Sequence, residues 1–153
     1  MKAILVFWIF LSFAQANDDI HKAVYDLTTG DLKTFEKRLL KGVVAHKAYY
    51  AGKFQELEVA VVIHGGAYKF FLRDIKNSEF KTDKKLVAVY PELRKRIRSL
   101  AENYDIKFYM CNIGKERHKI QNTNLAKFVE LIPNSTLGLI DKQNEGFAYL
   151  PLK

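Results

Sequence analysis

The chain of 153 residues holds one cysteine, Cys111, so it has neither an internal disulfide nor a C-x-x-C pair for a dithiol cycle. H-E-x-x-H and G-x-S-x-G are also missing, which removes the zincin and nucleophile-elbow hydrolase signatures. Proline is scarce, at three residues, and no repeat, low-complexity tract or linker divides the sequence, so the length fits one domain. There is no arginine-rich tail and no aromatic-and-basic RNA-binding signature. The formal charge of +8 is instead scattered through helical stretches such as Arg94-Lys95-Arg96 and Lys115-Glu116-Arg117. A basic surface of that kind favours anionic ligands or acidic surfaces and points away from nucleic acid as a partner.

Long apolar runs are lacking except at the start. Met1-Lys2 is followed by an apolar stretch from Ala3 to Phe13, then by Ala14-Gln15-Ala16 with small residues at the peptidase-read positions. Residues 1–16 therefore read as a signal peptide cleaved before Asn17, because the stretch falls short of the roughly 20 residues a spanning helix needs. The expected location is periplasmic or secreted, with no membrane association after cleavage. In such a compartment a lone thiol is either buried and inert or kept for reaction. The sequon Asn134-Ser135-Thr136 matters only in a eukaryotic secretory pathway.

Five segments read as strands: 23–27, 57–64, 106–111, 128–132 and 147–150. The second is a nearly unbroken apolar run, as expected of a strand covered on both faces. Between them, Leu32, Phe35, Leu39, Leu40, Val43, Val44 and Tyr50 form one helical stripe, with Thr29 as N-cap, Asp31 in the first turn and Gly52 as stop. A second helix is expected to begin at Pro91, with Leu93, Ile97, Leu100, Ala101 and Tyr104 inward. Shorter helices are expected over 67–75 and 137–144, and 76–85 reads as a polar loop. Strands alternating with helices predict an α/β fold, a three-layer α/β/α sandwich around a five-stranded, mostly parallel sheet.

Three strand-to-helix junctions then share one sheet edge: 27–31, 63–67 and 110–114. Their glycines permit close backbone approach, and the following helices turn free N–H groups toward a ligand. The expected pocket comprises Thr29, Gly30, Gly65, Gly66 and Asn112 around Cys111. Near a helix N-terminus a thiol pKa falls and the thiolate is favoured; the competing reading is a buried cysteine acting as a small hydrophobe. His64 can take a proton from Cys111 or hold a persulfide anion, or merely cap the strand edge. His118 reads as a surface residue, and His21 and His46 belong to no constellation. Met110, Cys111, His64 and His118 have the soft character that suits Cu(I), but Met110 and Cys111 point to opposite faces of a strand, so no metal site is assigned and no cofactor is expected.

The ordered set Val24-Tyr25-Asp26-Leu27-Thr28-Thr29-Gly30-Asp31, 59–66 with the apolar helix after it, 106–112, and 137–150 resembles the DsrE/DsrF-like family over nearly all of the chain after residue 16. The resemblance implies a mostly parallel five-stranded sheet and assembly into small rings, often trimers or hexamers. It also implies a cysteine in the strand-three loop that carries sulfur as a persulfide, and Cys111 falls at that position with Asn112 matching the residue after it. The leader removes the chain from a cytoplasmic tRNA-thiolation relay. Three functions follow as expectations: a sulfur carrier or sulfurtransferase-type accessory with a donor or acceptor protein as partner, a module binding a small anion or Cu(I), or a structural protein with Cys111 in its core. Tyr49, Tyr50, Phe54, Phe70, Phe71 and Tyr109 exceed what one small core needs, so some should be exposed and a homo-oligomer is expected.

Overall fold

The computed structural model describes residues 20–153, so the leader expected over 1–16 lies outside the described residues. Its five strands are β1 (Ile20–Leu27), β2 (Glu56–Ile63), β3 (Lys107–Cys111), β4 (Val129–Ile132) and β5 (Ala148–Leu152). They pair in the order β4-β3-β2-β1-β5, and every neighbouring pair is parallel. Val59 to Ile63 of β2 are all buried, which is why the central strand lacks the polar alternation of a half-exposed one.

Helices cover both faces. One face carries the larger core, in which α1 (residues 32–51) contributes Phe35, Leu39, Leu40 and Val43. There α2 (Lys84–Asn103) contributes Leu86, Tyr90, Leu93, Ile97 and Leu100 at alternating spacings of four and three. The short α3 (Asn112–Arg117) follows β3 directly, and α4 (Ser135–Asn144) lies over the other face. Beneath α4 is a smaller core of Val24, Ala60, Val62 and Phe147, with Tyr109, Ile132 and Leu139 packed against it. Gly138 lets α4 approach closely, since a Cβ there would overlap Ile132 Cδ1.

Helix starts differ from expectation where a side-chain cap outcompetes a generic signal. Asp31, not Thr29, caps α1: its carboxylate accepts the Thr34 N–H at 2.7 Å, while Thr29 Oγ1 accepts the Asp31 N–H at 3.1 Å. The second long helix begins at Lys84 rather than Pro91, because Asp83 Oδ1 accepts the Leu86 N–H at 3.0 Å; Pro91 sits in the helix interior. The stretch expected as a loop before it holds two 3₁₀ turns, Ile75–Asn77 and Glu79–Thr82, capped by Asp74 and Ser78. The helix expected over 67–75 is a 3₁₀ turn, Ala67–Phe71, that stops at Leu72. There the Tyr90 hydroxyl accepts the Leu72 N–H at 2.9 Å and donates to its carbonyl at 3.1 Å, replacing the partners a longer helix would supply.

The aromatic residues divide. Phe70 and Phe71 are core, whereas Tyr49 is 58% and Phe54 102% exposed, the latter in left-handed backbone at φ 60°. On β5 the Leu152 carbonyl turns inward to the Thr28 N–H, so Pro151 faces outward with no N–H and with its carbonyl taken by Arg38 at 3.1 Å. At that position the edge offers neither a donor nor a free acceptor to a further strand.

Candidate active site at the carboxyl edge

The register decides which side chains meet. Ile63 pairs with both Leu27 and Met110, so the next residues of β2 and β3, His64 and Cys111, leave the sheet side by side. Two-residue alternation from Val24, Val62 and Tyr109 of the smaller core places Asp26, His64 and Cys111 toward the α4 side. Tyr149, opposite Val24 on β5, joins the same side. Four neighbouring strands thus contribute a row: Tyr149, Asp26, His64, Cys111.

Cys111 is 7% exposed and occupies the N-cap position of α3. Burial pushes its thiol pKa up, but hydrogen bonds from the Gly114 N–H, the Tyr68 hydroxyl and the Ser135 and Ile113 N–H groups outweigh it, and the net shift is downward. Tyr68 has a single hydroxyl proton, shared between the sulfur and the Cys111 carbonyl at 3.2 Å. Its own pKa is raised, by burial first and by Cys111 second. Gly114 is required here, because a Cβ at that position would fall inside the Tyr68 hydroxyl. The donors come from three chain segments, the Ala67–Phe71 turn, α3 and the start of α4, so the thiol is held by tertiary structure.

These groups line an open cleft of about 690 Å³ whose walls include His64, Gly65, Tyr68, Cys111, Arg117 and Ser135. His118, expected at the surface, is half-buried on the same cleft, paired with Glu79 and set against Tyr68 and Phe80 at ring separations of 4.9 and 5.4 Å. His64 hydrogen-bonds Asp26 Oδ1 through Nε2 at 2.5 Å, and Asp26 Oδ2 accepts the Tyr149 hydroxyl at 2.6 Å. Asp26 and Tyr149 were missed because each reads as part of a strand; the signal was an aspartate inside an otherwise apolar run, Val24-Tyr25-Asp26-Leu27.

Of the residues expected to form the pocket, Cys111, His64 and Gly65 come together, while Thr29, Gly30, Gly66 and Asn112 lie outside the cleft lining. Gly66 donates to the Thr28 carbonyl at 2.8 Å, and a Cβ on it would approach the Gly30 nitrogen to 2.8 Å, so this glycine pair lets two loops pack backbone to backbone. Gly65 adopts φ 61° at the same junction. The Asn112 amide donates within α3 to Glu116 at 2.8 Å. Among the described residues, no three His, Cys, Asp or Glu side chains cluster closely enough to hold a metal ion. A second cleft of about 560 Å³, beside α2 and lined by Arg73, Arg94, Arg98 and Lys127, holds no thiol or histidine.

The sequence model of the DsrE/DsrF-like family matches residues 32–152, a stretch that contains every cleft residue. The chain belongs to that family. An uncharacterized protein of Aquifex aeolicus is 32% identical over 131 residues, covering 85% of this chain and 55% of the relative, so this DsrE/DsrF-like chain spans about half that protein's length. Among solved structures, a protein of unknown function from Methanobacterium thermoautotrophicum superposes with a TM-score of 0.64 at 15% identity, over 86% of this chain and 98% of the other. At that identity the likeness establishes the shared fold alone.

Proposed function

We propose that this DsrE/DsrF-like protein is an exported sulfur carrier that holds sulfane sulfur as a persulfide on Cys111. The observation that supports this reading is the convergence of three backbone N–H groups and the Tyr68 hydroxyl on a nearly buried, unpaired thiol whose pKa is lowered. The thiolate attacks the sulfane sulfur of a polysulfide or thiosulfate; a Cys111 S–S bond forms as the donor's S–S bond breaks. The electron pair of the broken bond leaves with the shortened polysulfide or with sulfite. The same N–H donors then face the terminal sulfur anion of the persulfide.

Intact mass after incubation with polysulfide or thiosulfate tests the reading. One added sulfur on the wild-type protein, absent in Cys111→Ser, is the expected result, and an unmodified wild-type protein refutes it. The alternative use of the same donors, reversible binding of a small anion without covalent change, leaves the mass unaltered while protecting the thiol from alkylation.

Assembly belongs to the same proposal. Ile113 and Leu137 at the cleft are 46% and 45% exposed, and Ile140 and Tyr149 nearby are 46% and 42% exposed. Apolar side chains concentrated beside a reactive thiol favour a second copy of this chain as cover. A homo-oligomer, trimer or hexamer, is the expected state at micromolar concentration; a monomer mass by light scattering after chromatography refutes it.

A further inference from the structure

Asp26 is 7% exposed at the carboxyl edge of the sheet, and both its oxygens are engaged, Oδ1 by His64 and Oδ2 by Tyr149. A buried carboxylate is costly unless it is hydrogen-bonded, and an apolar residue at this strand position would pack without that requirement. Holding sulfur on Cys111 does not use this chain of groups. The thiolate is served by N–H donors and Tyr68, and no hydrogen bond joins His64 to it. The carboxylate does fix one property of the ring. With Nε2–H directed at Asp26, the lone pair of His64 lies on Nδ1, which has no hydrogen-bond partner among the described residues. The imidazole is 27% exposed on the cleft that holds Cys111. A base in the acceptor tautomer, beside the thiol but not bonded to it, is placed to serve a second reactant.

We propose that His64, positioned by Asp26 and Tyr149, is the general base that deprotonates an uncharged acceptor thiol entering the cleft, so that the acceptor is a thiol rather than an inorganic anion. The inference rests on the persulfide reading above. The acceptor S–H proton passes to His64 Nδ1, and the resulting thiolate attacks the outer sulfur of the Cys111 persulfide. The acceptor's S–S bond forms as the Cys111 S–S bond breaks, and the electron pair returns to Cys111 as thiolate. One proton moves from acceptor to imidazole, and no oxidant or reductant is consumed. Sulfite is already about half dianion at neutral pH and wholly so in mild alkali, so it gains at most about twofold from the base. The titratable groups facing His64 are Asp26 from β1, Tyr149 from β5, Cys111 from β3, Tyr68, and Arg117 and His118 from α3 and its end; α4 presents only uncharged Ser135 and Thr136.

The test separates loading from transfer. Wild type, His64→Gln, Asp26→Asn and Tyr149→Phe are each loaded with polysulfide, freed of donor, and brought to equal persulfide content by intact mass. Loss of the added sulfur is then followed with excess free cysteine, or with sulfite, as a function of pH. With cysteine, of which only about 3% is thiolate at pH 7, His64→Gln should be slower than wild type by about ten- to thirtyfold near neutral pH. The two should converge in alkali, where the acceptor ionises unaided. Asp26→Asn should show the same pH-dependent loss to a smaller degree, since an amide can donate to Nε2 and reverse the tautomer. Transfer to sulfite should be alike in all four proteins to within about twofold. Equal cysteine rates in wild type and His64→Gln near neutral pH overturn the proposal, as does a loss that is the same for both acceptors at every pH. A wild-type protein that never loads overturns the carrier reading itself. His64→Gln alters a partly exposed side chain and carries the test if Asp26→Asn folds poorly.

Discussion

Replacing Tyr68 by phenylalanine deletes one oxygen from a ring that is 2% exposed and leaves its packing unchanged. The Cys111 thiolate then keeps its N–H donors but loses a hydroxyl donor. A hydrogen bond to a charged acceptor contributes about 1.5–3 kcal/mol. The single proton of this hydroxyl also serves the Cys111 carbonyl at 3.2 Å, so the lower end applies. At about 1.4 kcal/mol per pKa unit, the thiol pKa should rise by roughly 1 unit and alkylation at neutral pH should slow about tenfold. Iodoacetamide rates measured across pH report this without ambiguity, because Cys111 is the only thiol in the chain. The substitution also leaves a buried carbonyl short of a donor, at a cost of about 1 kcal/mol in stability. A destabilised protein with an unmoved thiol titration would assign the hydroxyl proton wholly to the carbonyl and refute the argument.

Three further outcomes are expected. Gly114→Ala forces a methyl group into the Tyr68 hydroxyl, so urea midpoints should fall by the equivalent of about 1–3 kcal/mol and the thiol pKa should rise together, as one displaced ring accounts for both. Asp83→Ala removes the cap of α2 and should cost about 1 kcal/mol at neutral pH. The Asp83 carboxyl is held below its ordinary value, first by the Leu86 N–H; its contribution is therefore complete above the unfolded carboxyl pKa and lost as pH falls through the folded one, so the gap to wild type should close in acid. Cys111 follows the same sign at the other end of the scale. Its lowered pKa makes the thiolate's contribution absent below the folded value and complete above the unfolded one near 8.5, so the stability gap to Cys111→Ser should widen as pH rises through the folded value and level off above about pH 8.5 in thermal melts.

Strand content and strand type were legible because burial on both faces leaves its mark in composition. The run Val59-Ala60-Val61-Val62-Ile63 has no polar residue to turn toward solvent, and it is the middle strand. The three glycine-bearing junctions on one edge follow from parallel pairing, and the register places them there. Helix starts were legible only where the cap preceded an obvious stripe. Asp83 lies in a lysine-rich stretch that reads as loop, and Pro91 resembles a first-turn signal although the stripe of Leu86 and Tyr90 already runs through it. The proline is tolerated because neighbouring turns carry the buried face, and a position on the exposed side can lack one hydrogen bond.

The site divides along a different line. A thiol next to a helix start can be read from one segment, so Cys111 stood out in the sequence. The groups that act on it come from Tyr68, Ser135 and α3, which are far apart in the chain and meet only through the sheet order. Thr29, Gly30 and Gly66 illustrate the converse. They sit at the correct edge by sequence, yet the space between their loops is filled by backbone, and the cleft opens one strand further on. Asp26 is the more instructive case, since a carboxylate in a core strand conflicts with the pattern around it. Local rules treat such a residue as noise in a strand; the physical cost of burying it argues that something must be gained. Its two hydrogen-bond partners, one on each neighbouring strand, show where the gain lies: the carboxylate fixes the orientation of an imidazole that faces the only thiol in the protein. A residue that violates the hydrophobic pattern of its own strand is thus the better pointer to chemistry than the glycines that obey the pattern of theirs.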